Sequence, residues 1–297
     1  MEKMNRRNFI RAGIAGVAGL SVLGTDVLTT GCSSAKGAAM VDLVKLGETG
    51  LNVSRIAMGT GTIGGNKESN QTRLGMETFV KMARHAYERG IRFYEMADMY
   101  GSHPYVKEAL KPFPRENVSL LTKFWASPNP ADNTTPTREI IDRMRQEAGT
   151  EYFDAVLMHC VMNKDWRESL KYHIDGLLKA KQEGVIKAVG ASFHSLEALE
   201  EAVDFPWIDV MQVRINPFGD IMDADHEVVN ALLAKAKKNG KGIVGMKIFS
   251  QGEHISDSER QVALEYAVQK ANIHCMTIGF ESEAQMDDAI ERVMALI

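Results

Sequence analysis

Cysteine is scarce in this chain, which has only three, at positions 32, 160 and 275. Cysteines so far apart form neither a disulfide framework nor a zinc-ligand spacing, and His103, His194 and His254 have no metal-binding spacing either. We therefore predict no metal site. An excess of positive charge is also missing, since the formal net charge is −4. A chain without a basic stripe is not expected to bind nucleic acid, so small molecules are the expected partners.

The apolar stretch near the N-terminus is too short to cross a bilayer as a helix. It runs from Gly13 to Leu23, whereas a spanning helix needs about 20 apolar residues. Together with the paired arginines of Asn5–Arg11, it resembles a twin-arginine export signal. An ordinary amphipathic first helix is the alternative, but the glycines disfavour it because each costs roughly 1 kcal/mol in a helix interior.

A second N-terminal segment, Leu28–Ser34, resembles a lipoprotein processing box with Cys32 as the lipidated residue. Thr29 departs from the aliphatic residue that usually stands there, and Ser33–Ala39 would then be a flexible tether. We predict that residues 1–40 are an export signal and tether, and that residues 41–297 form one barrel domain. The expected location is periplasmic or membrane-anchored, and the expected partners are the twin-arginine machinery and, if Cys32 is processed, a membrane.

Strand-like and helix-like patterns alternate from Val41 onward. The predicted strands cover 55–59, 91–95, 118–123, 153–159, 186–192, 209–213, 242–247 and 275–279. The predicted helices cover 76–89, 105–110, 138–146, 166–182, 196–203, 226–238, 259–269 and 283–294. Eight such units in this length favour a closed (β/α)8 TIM barrel of the α/β class over an open sheet. Gly59–Gly64 is only partly similar to the glycine-rich turn of an open dinucleotide-binding sheet, and no helix begins there.

Polar side chains stand at the predicted strand ends, where the chemistry of such barrels collects. They are Glu95, Tyr100, Lys123, His159, Ser192, His194, Gln212 and Lys247. Each one alone has an ordinary alternative, such as a surface tyrosine, a solvated lysine or a helix-capping histidine. Because strand ends of one barrel face one another, the set as a whole indicates a site.

The chain resembles the aldo-keto reductases over nearly all of the predicted barrel. Leu46–Ser54 is similar to the hairpin that closes the barrel floor in that family, and Glu95–Gly101 is similar to the segment that carries its acid and tyrosine. Leu121–Lys123 is similar to the strand with the lysine, Thr150–His159 to the strand with the histidine, and Glu183–Ser192 is the most family-specific stretch. These segments follow one another in the family's order.

The resemblance implies hydride transfer between a bound NADP or NAD and a carbonyl or alcohol. Negative charge grows on the carbonyl oxygen, so an acid must be placed beside it. Tyr100 is the implied acid and base, Lys123 the cation that lowers the tyrosine pKa, His159 the group that orients the carbonyl, and Glu95 the partner of the lysine. The residues implied to bind the cofactor are Gly59, Thr60, Ser192, Gln212, Met246, Lys247, Ser282 and Gln285.

Four positions depart from the family's pattern. Glu95 replaces an aspartate, Phe193 an asparagine that contacts the cofactor amide, and Met246 an aromatic residue that stacks on the nicotinamide. Glu281 lies where a basic residue commonly binds the 2′-phosphate, which weakens the case for NADP and admits NAD. The chain also ends directly after its last helix, so we expect an open pocket for a bulky or polar substrate such as a sugar derivative.

Three functions stay open from the sequence. The chain is an active carbonyl or alcohol oxidoreductase, a nucleotide-holding sensor or interaction subunit whose turnover Glu95 impairs, or a binding barrel without a redox role. Free nicotinamide dinucleotide is scarce outside the cytoplasm, and the twin-arginine route moves folded proteins. We therefore expect an exported reductase to carry its cofactor with it.

Overall fold

The computed structural model describes residues 39–297. An antiparallel hairpin, β1 (Leu43–Lys45) and β2 (Asn52–Ser54), precedes eight parallel strands that close into a barrel. These are β3 (Ile56–Gly59), β4 (Phe93–Glu95), β5 (Ser119–Trp125), β6 (Phe153–Val161), β7 (Ile186–Phe193), β8 (Val210–Arg214), β9 (Gly242–Met246) and β10 (Cys275–Gly279). Strand β10 pairs with β3 to complete the circle. The predicted (β/α)8 barrel is confirmed.

The barrel strands are buried on both faces, which explains why their sequences are continuous apolar runs. Phe93, Leu121, Leu157 and Val244 belong to a small core cluster that also holds residues of the hairpin. The alternate strand residues join the helices in a much larger cluster. A strand with packed side chains on one face and helices on the other has no face left for water.

The hairpin closes the N-terminal end of the barrel, as predicted. Leu46 and Val53 are fully buried and lie in the same cluster as the strand residues. The Glu48 N–H donates a 2.8 Å hydrogen bond to the carbonyl of Gly240, just before β9 begins. Leu46 lies so close to Gly242, the first residue of β9, that a side chain there would overlap it.

The helices form the outer layer. They are α1 (Asn70–Arg73), α2 (Met76–Glu88), α3 (His103–Leu110), α4 (Thr137–Ala148), α5 (Trp166–Ser169), α6 (Lys171–Gln182), α7 (Leu196–Val203), α8 (His226–Lys238), α9 (Asp257–Gln269) and α10 (Glu283–Ala295). Gly90 and Gly240 follow α2 and α8 with φ of 90° and 79°. These left-handed residues end both helices.

Two helical segments differ from the prediction. The single helix predicted over 166–182 is wrong, because the chain breaks at Leu170, where φ is −104° and ψ is 11°. No glycine or proline marks this break, and the Leu170 side chain is buried in the large core. Helix α1 was not predicted, since four residues are too few for a periodic pattern. Its start is marked by a capping box between Ser69 and Thr72.

The predicted export signal, the lipidation site Cys32 and most of the tether lie outside the described residues. From residue 39 onward, no helix is both long and apolar enough to cross a membrane.

Candidate active site

A buried ion pair stands at the centre of the barrel mouth. Lys123, on β5, contacts the carboxylate of Glu95, the last residue of β4, and the two residues are 1% and 4% exposed. Lys123 Nζ also donates to the carbonyl of Met96 at 3.0 Å. Gln212 Nε2 and Thr277 Oγ1 donate to the Glu95 carboxylate, each at 3.3 Å. Strands β4, β5, β8 and β10 thus meet at one pair of charges.

Tyr100 reaches this pair from a 3-10 turn, Asp98–Tyr100, that follows β4. Its Oη lies 3.3 Å from His159 Nε2, and Lys123 Nζ lies 5.0 Å from the centroid of the tyrosine ring. His159 comes from β6 and is buried. The structure therefore brings together the four residues predicted to be catalytic, Glu95, Tyr100, Lys123 and His159.

The loop after β3 covers the Tyr100 ring. Gly61 and Gly64 lie so close to the ring that a β-carbon at either position would overlap its atoms. Neither glycine has a positive φ, so the close approach itself is the reason for glycine there. This role was not predictable from the sequence, because a glycine-rich loop does not reveal which side chain it covers.

Burial decides the protonation states at the mouth. It raises the pKa of Tyr100, which opposes the lowering predicted from Lys123. Burial also lowers the pKa of His159 far below its usual value, and the nearby charge of Lys123 acts in the same direction. Burial lowers the pKa of Lys123 as well, while the contact with Glu95 favours its ammonium form. The site therefore presents a neutral phenol beside a neutral imidazole at neutral pH.

A groove of about 610 Å³ runs from Tyr100 outwards, between the chain segments that follow β9 and β10. The predicted cofactor residues that line it are Gly59, Gln212, Met246, Lys247 and Gln285. The inner end suits the carboxamide of a nicotinamide, because Gln212 Oε1 is buried and has no hydrogen-bond partner within residues 39–297. Met246 offers apolar surface, and Lys247 has the charge that a diphosphate needs.

Three predicted cofactor residues are not among those that line the groove, and each supports local structure instead. Thr60 Oγ1 donates to the Glu95 carbonyl at 2.9 Å. Ser192 Oγ accepts the N–H of Cys160 at 2.9 Å, at the irregularity between β6 and β7. The hydroxyl of Ser282 caps α10.

Glu281 and Arg260 face the outer end of the groove. Glu281 accepts from Asn70 Nδ2 at 2.7 Å, which joins the loop after β3 to the loop after β10. Arg260 Nε donates to Asp288 at 2.9 Å, so its charge is already paired. Glu281 was predicted from the sequence, but Arg260 and Asn70 were not, because they lie far from it in the chain.

Thr277 was also missed by the sequence analysis. It is a polar residue inside the apolar run of β10 and is only partly buried there. A hydroxyl at such a position was the available signal, but its partner Glu95 lies 182 positions away.

We predict that Gly61→Ala lowers the free energy of unfolding by about 1–3 kcal/mol, because its methyl group overlaps the Tyr100 ring and one of them must move. Gly65→Ala is the matched control in the same loop, since nothing lies within 4 Å of the position its β-carbon would take. Its effect should stay within about 0.5 kcal/mol. Urea unfolding of both variants measures the difference, and equal losses would contradict the packing of this loop on Tyr100.

The aldo/keto reductase family model matches residues 55–254. Among curated relatives, "Probable aldo-keto reductase 1" of Glycine max is 28% identical over 186 residues, which cover 59% of this chain and 52% of that protein. "NADH-specific methylglyoxal reductase" of Escherichia coli K12 is 26% identical over 215 residues, which cover 66% of this chain and 64% of that protein. The chain thus spans about half to two thirds of the length of these relatives.

Solved structures agree on the fold. The aldo-keto reductase from Bacillus halodurans in its holo form aligns with a TM-score of 0.65 at 17% identity, over 85% of this chain and 91% of that one. The matched residues 55–254 make up more than half of the chain and include the ion pair, Tyr100 and His159. This chain belongs to the aldo/keto reductase family.

Proposed function

We propose that this chain is an oxidoreductase that transfers a hydride between a nicotinamide dinucleotide and a carbonyl or alcohol. The observation that carries the proposal is the meeting of Lys123 and His159 with Tyr100, which lines the inner end of the groove. Tyr100 Oη lies 3.3 Å from His159 Nε2. A carbonyl oxygen placed against both groups accepts hydrogen bonds from the phenol and from a neutral imidazole protonated at Nε2. Donors at that position stabilise the negative charge that develops there.

The dinucleotide, when bound, supplies the hydride. Tyr100 donates its phenolic proton to the carbonyl oxygen as the carbon is reduced, and water restores that proton afterwards. The same groups work in reverse for an alcohol. The Lys123 ammonium lies 5.0 Å from the centroid of the tyrosine ring and stabilises the transient phenolate.

Glu95 supports an active enzyme over a nucleotide-holding sensor or interaction subunit. One extra methylene, relative to aspartate, impairs turnover only if it displaces the lysine. Glu95 still contacts Lys123, while Gln212 and Thr277 hold its two carboxylate oxygens. The longer side chain is thus accommodated without loss of the ion pair.

We predict that Tyr100→Phe lowers kcat at least ~100-fold, because general acid catalysis typically contributes 10²–10⁴-fold, and leaves the Kd for the dinucleotide within about 2-fold. Turnover is followed at the nicotinamide absorbance band with methylglyoxal and with a panel of aldoses, and Kd by calorimetry. Tyr172→Phe, at an exposed tyrosine, is the control. Full turnover by Tyr100→Phe would reject this mechanism, and bound nucleotide without turnover in the unaltered chain would favour the sensor alternative.

The chemistry of the site limits the substrate class to carbonyls and the corresponding alcohols. Methylglyoxal, a small dicarbonyl, is named for the Escherichia coli relative. Bulkier or polar carbonyls such as sugar derivatives are the second class. We propose a carbonyl substrate, and the same panel discriminates between these two classes.

We propose that NAD is the preferred dinucleotide. Glu281 puts a negative charge on the outer groove wall, and the nearby Arg260 is already bound to Asp288. A 2′-phosphate would be repelled by the Glu281 carboxylate, and Arg260 is not free to bind it because it already pairs with Asp288. The ribose hydroxyls of NAD, by contrast, can donate hydrogen bonds to a carboxylate. The Escherichia coli relative is named as NADH-specific.

NADH is expected to bind at least ~10-fold more tightly than NADPH, which corresponds to about 1.4 kcal/mol. Glu281→Gln keeps an acceptor for Asn70 but removes the negative charge, so the ratio of the Kd for NADPH to the Kd for NADH should decrease. Glu283→Gln is the control, since that carboxylate pairs with Lys81 instead. Calorimetry with both nucleotides measures the ratio. Equal or tighter binding of NADPH to the unaltered chain would overturn the assignment.

We propose export by the twin-arginine route and lipid anchoring at Cys32, supported by Asn5–Arg11 and Leu28–Ser34. Cell fractionation of the full chain in a bacterium with an outer membrane tests both steps. The double substitution Arg6→Lys and Arg7→Lys should retain the protein in the cytoplasm, and Cys32→Ala should release it from the membrane fraction. Unchanged fractionation of both variants would refute the proposal.

A further inference from the structure

A chain of polar contacts runs behind the active site, on the side away from the groove. It begins at Asp98, which opens the 3-10 turn that carries Tyr100. It ends at Thr122, the residue before Lys123 on β5. Three side chains connect these ends: Arg143 and Glu147, which lie one turn apart on α4, and His103, the first residue of α3. We call these five residues the rear network.

At the Tyr100 end, two cations hold the Asp98 carboxylate. Arg143 binds it through both oxygens, with Nη1 at 2.8 Å and Nη2 at 2.9 Å. The side chain of Lys67, from the loop after β3, contacts the same carboxylate. The backbone N–H of Lys67 donates to the Met99 carbonyl at 2.8 Å. A two-pronged arginine contact fixes orientation as well as distance, so the turn is held from both sides.

Toward Lys123, the contacts pass from the partly exposed side chains of α4 to buried groups. Arg143 Nη1 also donates to Glu147 Oε1 at 2.7 Å, and Glu147 Oε2 lies 3.1 Å from His103 Nδ1. His103 is fully buried, and its Nε2 lies 2.7 Å from the Thr122 hydroxyl. Both nitrogens of this imidazole are thus occupied, one toward α4 and the other toward β5.

The carboxylates of the rear network are ionised at neutral pH. The pKa of Glu147 is lowered to about 2, and the hydrogen bond from His103 is the largest cause. Arg143 lowers this pKa further, while burial opposes both. Burial alone would raise the pKa of Asp98, but the hydrogen bonds from Arg143 and Lys67 outweigh it and lower that pKa. The ion pairs that hold the turn are therefore present throughout the neutral range.

Asp98, His103 and Glu147 also place potential metal-ligand atoms within 4.8 Å of one another. Arg143, however, already bridges the two carboxylates with its guanidinium, and Lys67 contacts one of them. A metal ion would compete with two resident positive charges. The geometry points to a structural connection between elements and not to a metal site.

We propose that Arg143, Glu147 and His103 are positioning residues that hold the Tyr100 turn in register with the strand that carries Lys123. This inference rests on the proposed function, in which the phenol and the ammonium must act together. The ring of Tyr100 is confined on one face by Gly61 and Gly64. The rear network binds the carboxylate of Asp98, the first residue of the same turn, so loop and network together place the phenol over Lys123.

Arg143→Met tests the proposal, with Arg138→Met as the matched control. Both arginines lie on α4, their side chains are 42% and 40% exposed, and each binds two carboxylates. Arg138 pairs with Asp142 and Glu183 and does not contact the Tyr100 turn. A loss that is merely structural should therefore affect both variants alike.

Arg143→Met is expected to lower kcat about 10-fold or more, since a displacement of one ångström can cost ~100-fold, while the Kd for NADH stays within about 2-fold. Arg138→Met should keep the kcat of the unaltered chain, although its change in Tm should be comparable to that of Arg143→Met. Arg143→Lys, which retains the charge without the two-pronged contact, should lie in between. It also serves as the second variant if Arg143→Met does not fold. Equal kcat for the two methionine variants would overturn the proposal.

A crystal structure of Arg143→Met gives a readout that does not depend on turnover. The separation of Tyr100 Oη and His159 Nε2 should increase from 3.3 Å, and the Asp98–Tyr100 turn should shift. An unmoved turn would refute the positioning role even in an active enzyme. If the unaltered chain reduces no carbonyl at all, the proposed function fails, while this structural comparison still decides the role of the rear network.

Discussion

The structure depends on the buried ion pair between Lys123 and Glu95. Removing two charges from water costs several kcal/mol per ion, and the cost is offset only when the geometry is close and the remaining hydrogen-bonding atoms are satisfied. Here the Met96 carbonyl accepts a hydrogen bond from the lysine, while Gln212 and Thr277 donate to the carboxylate. These contacts come from different strands, so the pair is stable only inside a closed barrel.

This ion pair also constrains the positions of the groups around it. A lysine that is almost fully buried cannot be mobile, and a tyrosine that is to act with it must be delivered to a fixed place. The Asp98–Tyr100 turn is held from two directions. Glycines of the loop after β3 lie against the tyrosine ring, and ionised side chains of α4 bind the turn. The low pKa of His159, which burial causes, leaves a neutral imidazole beside the phenol. The mouth thus combines one compensated ion pair with two neutral groups able to donate hydrogen bonds.

Much of the fold was predictable because its cause is local. Strands buried on both faces must be apolar throughout, and runs such as residues 243–246 stand out from the amphipathic helices beside them. The break at Leu170 was not predictable in this way, since nothing in the local sequence interrupts the helix. The Leu170 side chain is buried in the core at this break, an environment that the local sequence does not reveal. Helix α1 was not predicted because a single helical turn is too short to show a periodic pattern.

The sequence by itself determined the barrel, the hairpin at its floor and the four residues expected at the catalytic centre. It could do so because strand ends of a closed barrel face one another, and because the motifs of this family lie one unit apart. Only the tertiary structure decided which partners hold those residues. Thr277 beside Glu95, Gly61 against Tyr100 and Arg143 on Asp98 are contacts between segments that are distant in the chain. Such contacts leave no local pattern, because they depend on distances that exist only once the barrel has closed.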